Sequence, residues 1–332
     1  MGVISKSEFE IIFSQHHKSS DIDEFYLCVN NILELAHKEY NIQTSKACFD
    51  IAGPINNDRT YAKTTNLDLG ISISELRNKT MLHNILLIND FEAIGFGVTL
   101  LDRVDEHQII TLHHTAGFTQ NAVPKATIAV LGAGTGLGMS ILTYDHEKDL
   151  YIPHPSEGGH VDFAPKDQLE IQLVDYLKEK VTGGSHPGFE RVVSGQGITN
   201  IYNFLREIRY ERPTDITKMI DALPDKRKPA QIQKHTYNSI TCKKAIDMFI
   251  EFYARAARNL ALTALAKGGI YIAGGIAPRM IDCLKDKRFM QEFEKNDKQA
   301  SILKEIPVYV VMDYNISLIG CCNAIVNFSD KL

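Results

Sequence analysis

The sequence predicts an α/β protein of two domains, and three observations predict it. From Phe9 to the segment after Phe91, runs with strand and helix character alternate as strand, helix, strand, helix, strand, helix, the layering of α/β folds. Two later apolar runs, Thr127–Leu131 and Ile270–Ala273, each end in glycines, as buried strands do when they open into a turn. The chain has 332 residues, 44% hydrophobic and 23% charged, enough material for two globular cores.

The elements follow in order. Phe9–Phe13 (FEIIF) reads as a strand, and Phe25–Tyr40 as an amphipathic helix with Leu27, Ile32, Leu35 and Ala36 near helical spacing. Lys46–Ala52 is a strand ended by Gly53-Pro54, and residues 55–70 are polar. Ser72 or Ser74 can cap a short helix, with Glu75 near the position a capping box wants. Asn84–Ile88 is a fully apolar strand ending at Asn89-Asp90, and a helix follows from Phe91. His107–Pro124 is a polar connection. Leu169–Lys180 and Ile198–Arg209 are helices, and residues 210–236 are a charged, proline-punctuated surface segment. Lys244–Ala266 is the longest helix, its face formed by Ile246, Phe249, Tyr253, Ala257, Leu260 and Ala264, with Gly268-Gly269 as its stop. After Ile270–Ala273, Pro278 opens a helix, Val308–Met312 is a strand, and Ser317–Phe328 is a closing helix in which Cys321 and Cys322 pack.

The stretch with the most chemistry is Ala126–Thr143, a strand, a glycine turn and a second strand from about Met139. Gly132, Gly134, Gly136 and Gly138, with Thr135 among them, allow backbone N–H groups to wrap an anion. A dinucleotide fingerprint needs a glycine where Leu137 stands, and a Walker loop needs a lysine that is absent. What remains is a hairpin that grips phosphate between two strands. Gly274-Gly275 and Asp90 also follow buried strands. Ligands of α/β folds collect at strand carboxyl ends, so the three sites can share one cleft.

A net charge of −5 and a pI near 6.2 give no electrostatic footprint for nucleic acid. No apolar run has the length of a membrane span, and the start lacks a signal-peptide apolar region. Lys6 stands where a myristoylation signal wants Ser or Thr. Six cysteines (Cys28, Cys48, Cys242, Cys283, Cys321, Cys322) without metal-ligand spacing are expected to be reduced, in a cytoplasmic protein. As isolated residues, Asp90 reads as a helix N-cap, His160 as a hydrogen-bonded structural histidine, and Glu190 with Arg191 as a surface ion pair.

Seven runs in one order resemble the bacterial glucokinase family, within the sugar kinase, heat-shock ATPase and actin superfamily. They are AGPI at Ala52–Ile55, TTN at Thr64–Asn66, LINDFEA at Leu87–Ala93, LGAGTGLG at Leu131–Gly138, EGGHVDFAP at Glu157–Pro165, ERVVSGQGI at Glu190–Ile198 and IAGGIAPR at Ile272–Arg279. The resemblance covers nearly the whole chain. It implies an actin-like, ribonuclease H-like two-domain fold with a cleft between domains. The small domain is expected at 1–105, completed by 315–332, and the large domain at 106–314. It further implies transfer of the ATP γ-phosphate to the 6-hydroxyl of glucose, with Mg2+ held mainly through the nucleotide, and a homodimer. By the same resemblance Asp90 is the general base, and Asn66, Asn89, Asp90, Glu157, His160 and Glu190 bind the sugar. The Gly132–Gly138 hairpin grips the phosphates, and Gly274-Gly275 borders the adenosine. No zinc motif of the related repressor and kinase branch is present, since no cysteine lies between 49 and 241, and no protein-bound metal is expected. A non-catalytic sugar-binding protein and a kinase for another hexose or an N-acyl amino sugar are the competing readings.

One run of the family pattern has no match. The turn of Asp-Gly-Gly-Thr-Asn type, the other half of the phosphate grip, is absent from residues 1–50. Phe9–Phe13 then corresponds to the third strand of the pattern, two strands of the small-domain sheet are expected to be missing, and a truncated sequence is favoured over a divergent member.

Overall fold

The computed structural model describes residues 2–5, 8–18, 22, 24–64 and 69–328. The chain forms two compact units: Met1–Leu101, Tyr151–Pro155 and Tyr314–Leu332 make the first, Asp102–Leu150 and Ser156–Asp313 the second. No helix among the described residues is long and apolar enough to cross a membrane.

The first unit opens with an antiparallel pair, β1 (Gly2–Ser5) and β2 (Glu8–Ile11), with Gly2 opposite Ile11. The pattern of side chains predicts only one strand here, because a four-residue strand is too short for periodicity to register. Helix α1 (Phe25–Tyr40) buries Val29 and Ala36, and Asn41, at φ 53°, ends it in the left-handed conformation. Strand β3 (Lys46–Ile51) pairs in parallel with β6 across Asn84–Asn89, Ile51 lying opposite Asn89. Between them, the polar segment supplies a small hairpin of β4 (Tyr61–Lys63) and β5 (Gly70–Ser72), then α2 (Ile73–Lys79). Ser72, not Ser74, caps α2, its hydroxyl accepting from Glu75 N. Ile85–Ile88 of β6 are all buried, as a parallel strand covered on both faces requires. Helix α3 (Asp90–Val98) leaves directly from the end of β6.

The second unit is built on a sheet. Its strands β7 (Ile109–Leu112), β8 (Ile128–Ala133) and β9 (Leu137–Asp145) precede β10 (Leu150–Ser156) in the chain. β7 lies inside the segment expected to be a polar connection; it is four residues long and pairs on one side with β12. Helices α4 (Gln168–Lys180), α5 (Gly195–Glu207), α6 (Asp215–Asp221), α7 (Lys228–Lys234) and α8 (Ile240–Ala264) follow. Then come β11 (Ile270–Ala273), the short helices α9 (Ile281–Lys285), α10 (Lys287–Phe293) and α11 (Ala300–Lys304), and β12 (Val308–Val311). The strand order runs β9-β8-β11-β12-β7, with β8, β11 and β12 parallel and β9 and β7 antiparallel to their neighbours. α8 begins four residues before Lys244 because the Ser239 hydroxyl accepts from Cys242 N, and it stops at Leu265, which takes φ 46°. Its Phe249, Phe252, Tyr253 and Ala257 are fully buried, in one core with Phe163 and Phe289.

The chain ends in the first unit with α12 (Ile316–Asn327), packed on α3 at backbone distance. A Cβ on Gly320 would lie 1.8 Å from the Ala93 carbonyl oxygen, and one on Gly97 2.3 Å from that of Ile316. Only glycine permits such an approach. Asn323 Nδ2 donates to the Phe96 carbonyl at 2.9 Å, so α3 is held by both packing and a buried hydrogen bond.

Candidate functional site

The glycine hairpin is tighter than its sequence suggests. Ala133 pairs with Leu137, so Gly134-Thr135-Gly136 alone form the turn, closed by Gly134 N donating to Gly136 O at 2.8 Å. Gly132 and Gly138 face each other in the ladder, and β9 starts two residues earlier than expected. A Cβ built on Gly134 meets nothing within 4 Å, leaving room for an anion to approach the backbone.

The second glycine turn stands beside it. β11 runs parallel to β8 with Ala273 opposite Gly132, and Gly274 (φ 83°) would put a Cβ 2.7 Å from the Ala133 carbonyl. Gly275 is open, with nothing within 4 Å of its Cβ position. Tyr253 ties the two turns together: its hydroxyl accepts from Ala133 N at 3.1 Å and donates to Ala273 O at 3.4 Å. Burial pushes the phenol pKa up, so it remains a donor. Sequence reading places Tyr253 on the core face of α8 and misses this role; a hydroxyl on an otherwise apolar face was the available signal. Tyr253→Phe leaves the Ala133 N–H buried and unpaired, a cost of about 1–3 kcal/mol. The expected result is a lower melting temperature in a thermal scan. Unaltered melting would show that the hydroxyl positions nothing.

The carboxylates expected to hold sugar sit at two short helical turns, Glu157 just before Gly158–His160 and Glu190 within Phe189–Arg191. These turns are joined by main-chain bonds: Phe163 N donates to Pro187 O at 2.9 Å and Phe189 N to Val161 O at 3.0 Å. Gly159 packs against the hairpin, its Cβ position 1.9 Å from Leu137 O. Glu157 and His160 come together, Nε2 to Oε2 at 3.5 Å, and both are exposed. Glu190 is no surface partner of Arg191. Its Oε2 accepts from Leu137 N at 3.1 Å, which brings it to the hairpin. Beneath the loop, buried Arg255 donates to Ala164 O at 3.2 Å, pairs with Glu170 at 2.9 Å and lies over the Phe163 and Phe252 rings. Thus Glu157, His160, Glu190 and both glycine turns belong to one part of the second unit.

Asn89 and Asp90 belong to the first unit. The N-cap of α3 is Asn89, not Asp90: its side chain accepts from Phe91 N at 2.9 Å, and Glu92 returns the bond to Asn89 N at 3.3 Å. Asp90 is therefore the first helical residue, its Oδ1 accepting from Phe91 N at 3.0 Å. Burial, and then the charge of Asp50, hold its carboxyl above the ordinary range, the direction that suits a general base. Glu92 is 1% exposed and is clamped by Arg59 through two bonds of 2.9 and 3.0 Å. Arg59 lies in the polar segment that sequence reading leaves without a role. Asn66 lies outside the described residues.

The family model described as Glucokinase matches residues 3–327. A glucokinase of Nostoc sp. is 36% identical over 96% of this chain and 92% of its own length. Among solved structures, a glucokinase from an Antarctic psychrotroph superposes with a TM-score of 0.77 at 27% identity, covering 96% of this chain and 91% of that one. A ROK family glucokinase from Streptomyces griseus in complex with glucose and AMPPNP shares the fold, with a TM-score of 0.58 at 14% identity over 90% of this chain and 86% of that one.

Proposed function

Because the chain belongs to the glucokinase family, we propose that it phosphorylates the 6-hydroxyl of glucose with Asp90 as the base and with Asn66, Asn89, Glu157, His160 and Glu190 on the sugar. ATP supplies the phosphoryl group. Asp90 takes the proton of the attacking hydroxyl, which asks for a carboxylate with one oxygen not consumed by capping; Asn89 does the capping. Carboxylates and an imidazole can accept from and donate to sugar hydroxyls. Gly132, Gly134, Thr135, Gly136 and Gly138 serve the phosphates, and Gly274-Gly275 the adenosine. Magnesium is proposed to arrive on the nucleotide, and a homodimer is proposed from the family resemblance.

The observation that carries the reading is the meeting of an open glycine turn with sugar-type ligands: Gly134 is unobstructed, and Glu190 lies against the same hairpin. Phosphoryl transfer asks for that kind of positioning. We also propose that residues 1–50 carry no sequence of the Asp-Gly-Gly-Thr-Asn type for a second phosphate turn, since their single glycine, Gly2, follows Met1.

The test is a coupled ADP-release assay over a panel of hexoses and N-acyl amino sugars, with calorimetry on Glu157→Ala. Glucose-dependent turnover is expected, and Glu157→Ala should weaken glucose binding by about 1 kcal/mol, the low end for a lost hydrogen bond because Glu157 is exposed. Turnover confined to an amino sugar would replace the substrate. Unchanged glucose affinity in the variant would remove Glu157 from the sugar.

A further inference from the structure

We propose that Glu190 couples the two substrates: its carboxylate transmits sugar occupancy to the phosphate hairpin, so that glucose raises the affinity for the nucleotide. This rests on the reading that Glu190 meets the sugar and that the hairpin meets phosphate.

The segment 190–195 is fastened to both shoulders of the Gly134-Thr135-Gly136 turn. On one side Glu190 Oε2 accepts from Leu137 N at 3.1 Å. On the other, Gly195 N donates to Gly134 O at 2.9 Å. The fastening is anchored in turn: Ser194 Oγ donates to the Glu190 carbonyl at 2.8 Å and accepts from Gly197 N at 2.9 Å, capping α5. Gly136 leaves space for the carboxylate, since a Cβ there would lie 2.5 Å from Glu190 Oε2.

A carboxylate has two oxygens. With Oε2 on the hairpin, Oε1 is the one to accept from a sugar hydroxyl. A sugar bound there pins the carboxylate, and through Leu137 N it pins the start of β9. The nucleotide then binds a turn whose ordering cost has already been met. Linkage makes the effect reciprocal, so the nucleotide raises glucose affinity by the same factor.

The experiment is calorimetric titration of the unreactive imido analogue of ATP, with and without saturating glucose, on the parent chain, Gly136→Ala, Gly134→Ala and Glu190→Ala. The parent should bind the analogue about five-fold or more tightly when glucose is present. Gly136→Ala displaces the carboxylate, and the ratio should fall to near one. Gly134→Ala intrudes only into open space, so it should weaken the analogue while keeping the ratio. A parent ratio of one, or a ratio retained in Gly136→Ala, overturns the coupling. Glucose binding by Glu190→Ala equal to the parent's instead overturns the underlying reading of Glu190. If Gly136→Ala does not fold, Ser194→Ala releases the Glu190 carbonyl and should lower the ratio; a full parental ratio there also overturns the coupling.

Discussion

Asp90→Asn is expected to lower kcat by at least about 10²–10⁴-fold, the usual contribution of a general base, with glucose affinity little changed. The same substitution is expected to leave the protein at least as stable at neutral pH. Burial and the nearby Asp50 charge hold the Asp90 pKa above that of an exposed aspartate. A carboxyl whose folded pKa is raised contributes most below its unfolded pKa. That contribution is lost as pH rises through the folded value. Above the folded pKa the parent therefore bears an ionised, partly desolvated group that asparagine does not have. Asparagine also retains an oxygen for Phe91 N, which Asp90 engages at 3.0 Å. Melting curves should show any gain of the variant at neutral pH and none below the ordinary carboxylate range. A variant retaining half its kcat would end the assignment of Asp90 as base. A variant clearly less stable at neutral pH would mean that the helix N-terminus favours the charge more than burial penalises it.

The largest loss of stability in the first unit is expected from Arg59→Ala. The Glu92 carboxylate is nearly inaccessible, its side chain 2% exposed against 30% for Arg59. Removing the cation strands a buried anion, which costs about 3–5 kcal/mol when a buried pair is broken; the partial exposure of Arg59 places this case at the low end. Arg59→Lys should restore little, because both terminal guanidinium nitrogens are used, Nη1 donating to Glu92 and also to the Leu87 carbonyl at 3.3 Å. Arg59→Ala combined with Glu92→Gln should be more stable than Arg59→Ala alone, since no charge is left behind. Glu92 also accepts from Asn89 N, so the single variant should raise the KM for glucose. Chemical denaturation measures the first effect and steady-state kinetics the second. A stability loss under about 1 kcal/mol would show that the pair behaves as an exposed one.

Much of the fold is legible in the chain because apolar runs bounded by glycine or proline leave few alternatives. Asn84–Ile88 is buried through its centre, Ile270–Ala273 is buried throughout, and the Gly274 turn follows at once. Where two good residues compete for one position, pattern is silent. Asn89 and Asp90 are both favoured N-caps, and only the extended backbone of Asn89, at φ −69° and ψ 150°, assigns the cap. β7 is hidden because its four residues form too short a run to stand out from polar surroundings.

The residue types proposed to carry the chemistry, the glycine hairpin, the paired turns around Glu157 and Glu190 and the aspartate after an apolar strand, are properties of the chain alone, since each is written in neighbouring residues. The partners are not. Tyr253 lies 120 positions from Ala133, Arg59 lies 33 from Glu92, and Glu190 lies 53 from Leu137. A hydroxyl, a guanidinium or a carboxylate finds its mate only when packing sets distances of about 3 Å across the chain. Local periodicity holds no information on those distances, so they were decided by the tertiary structure.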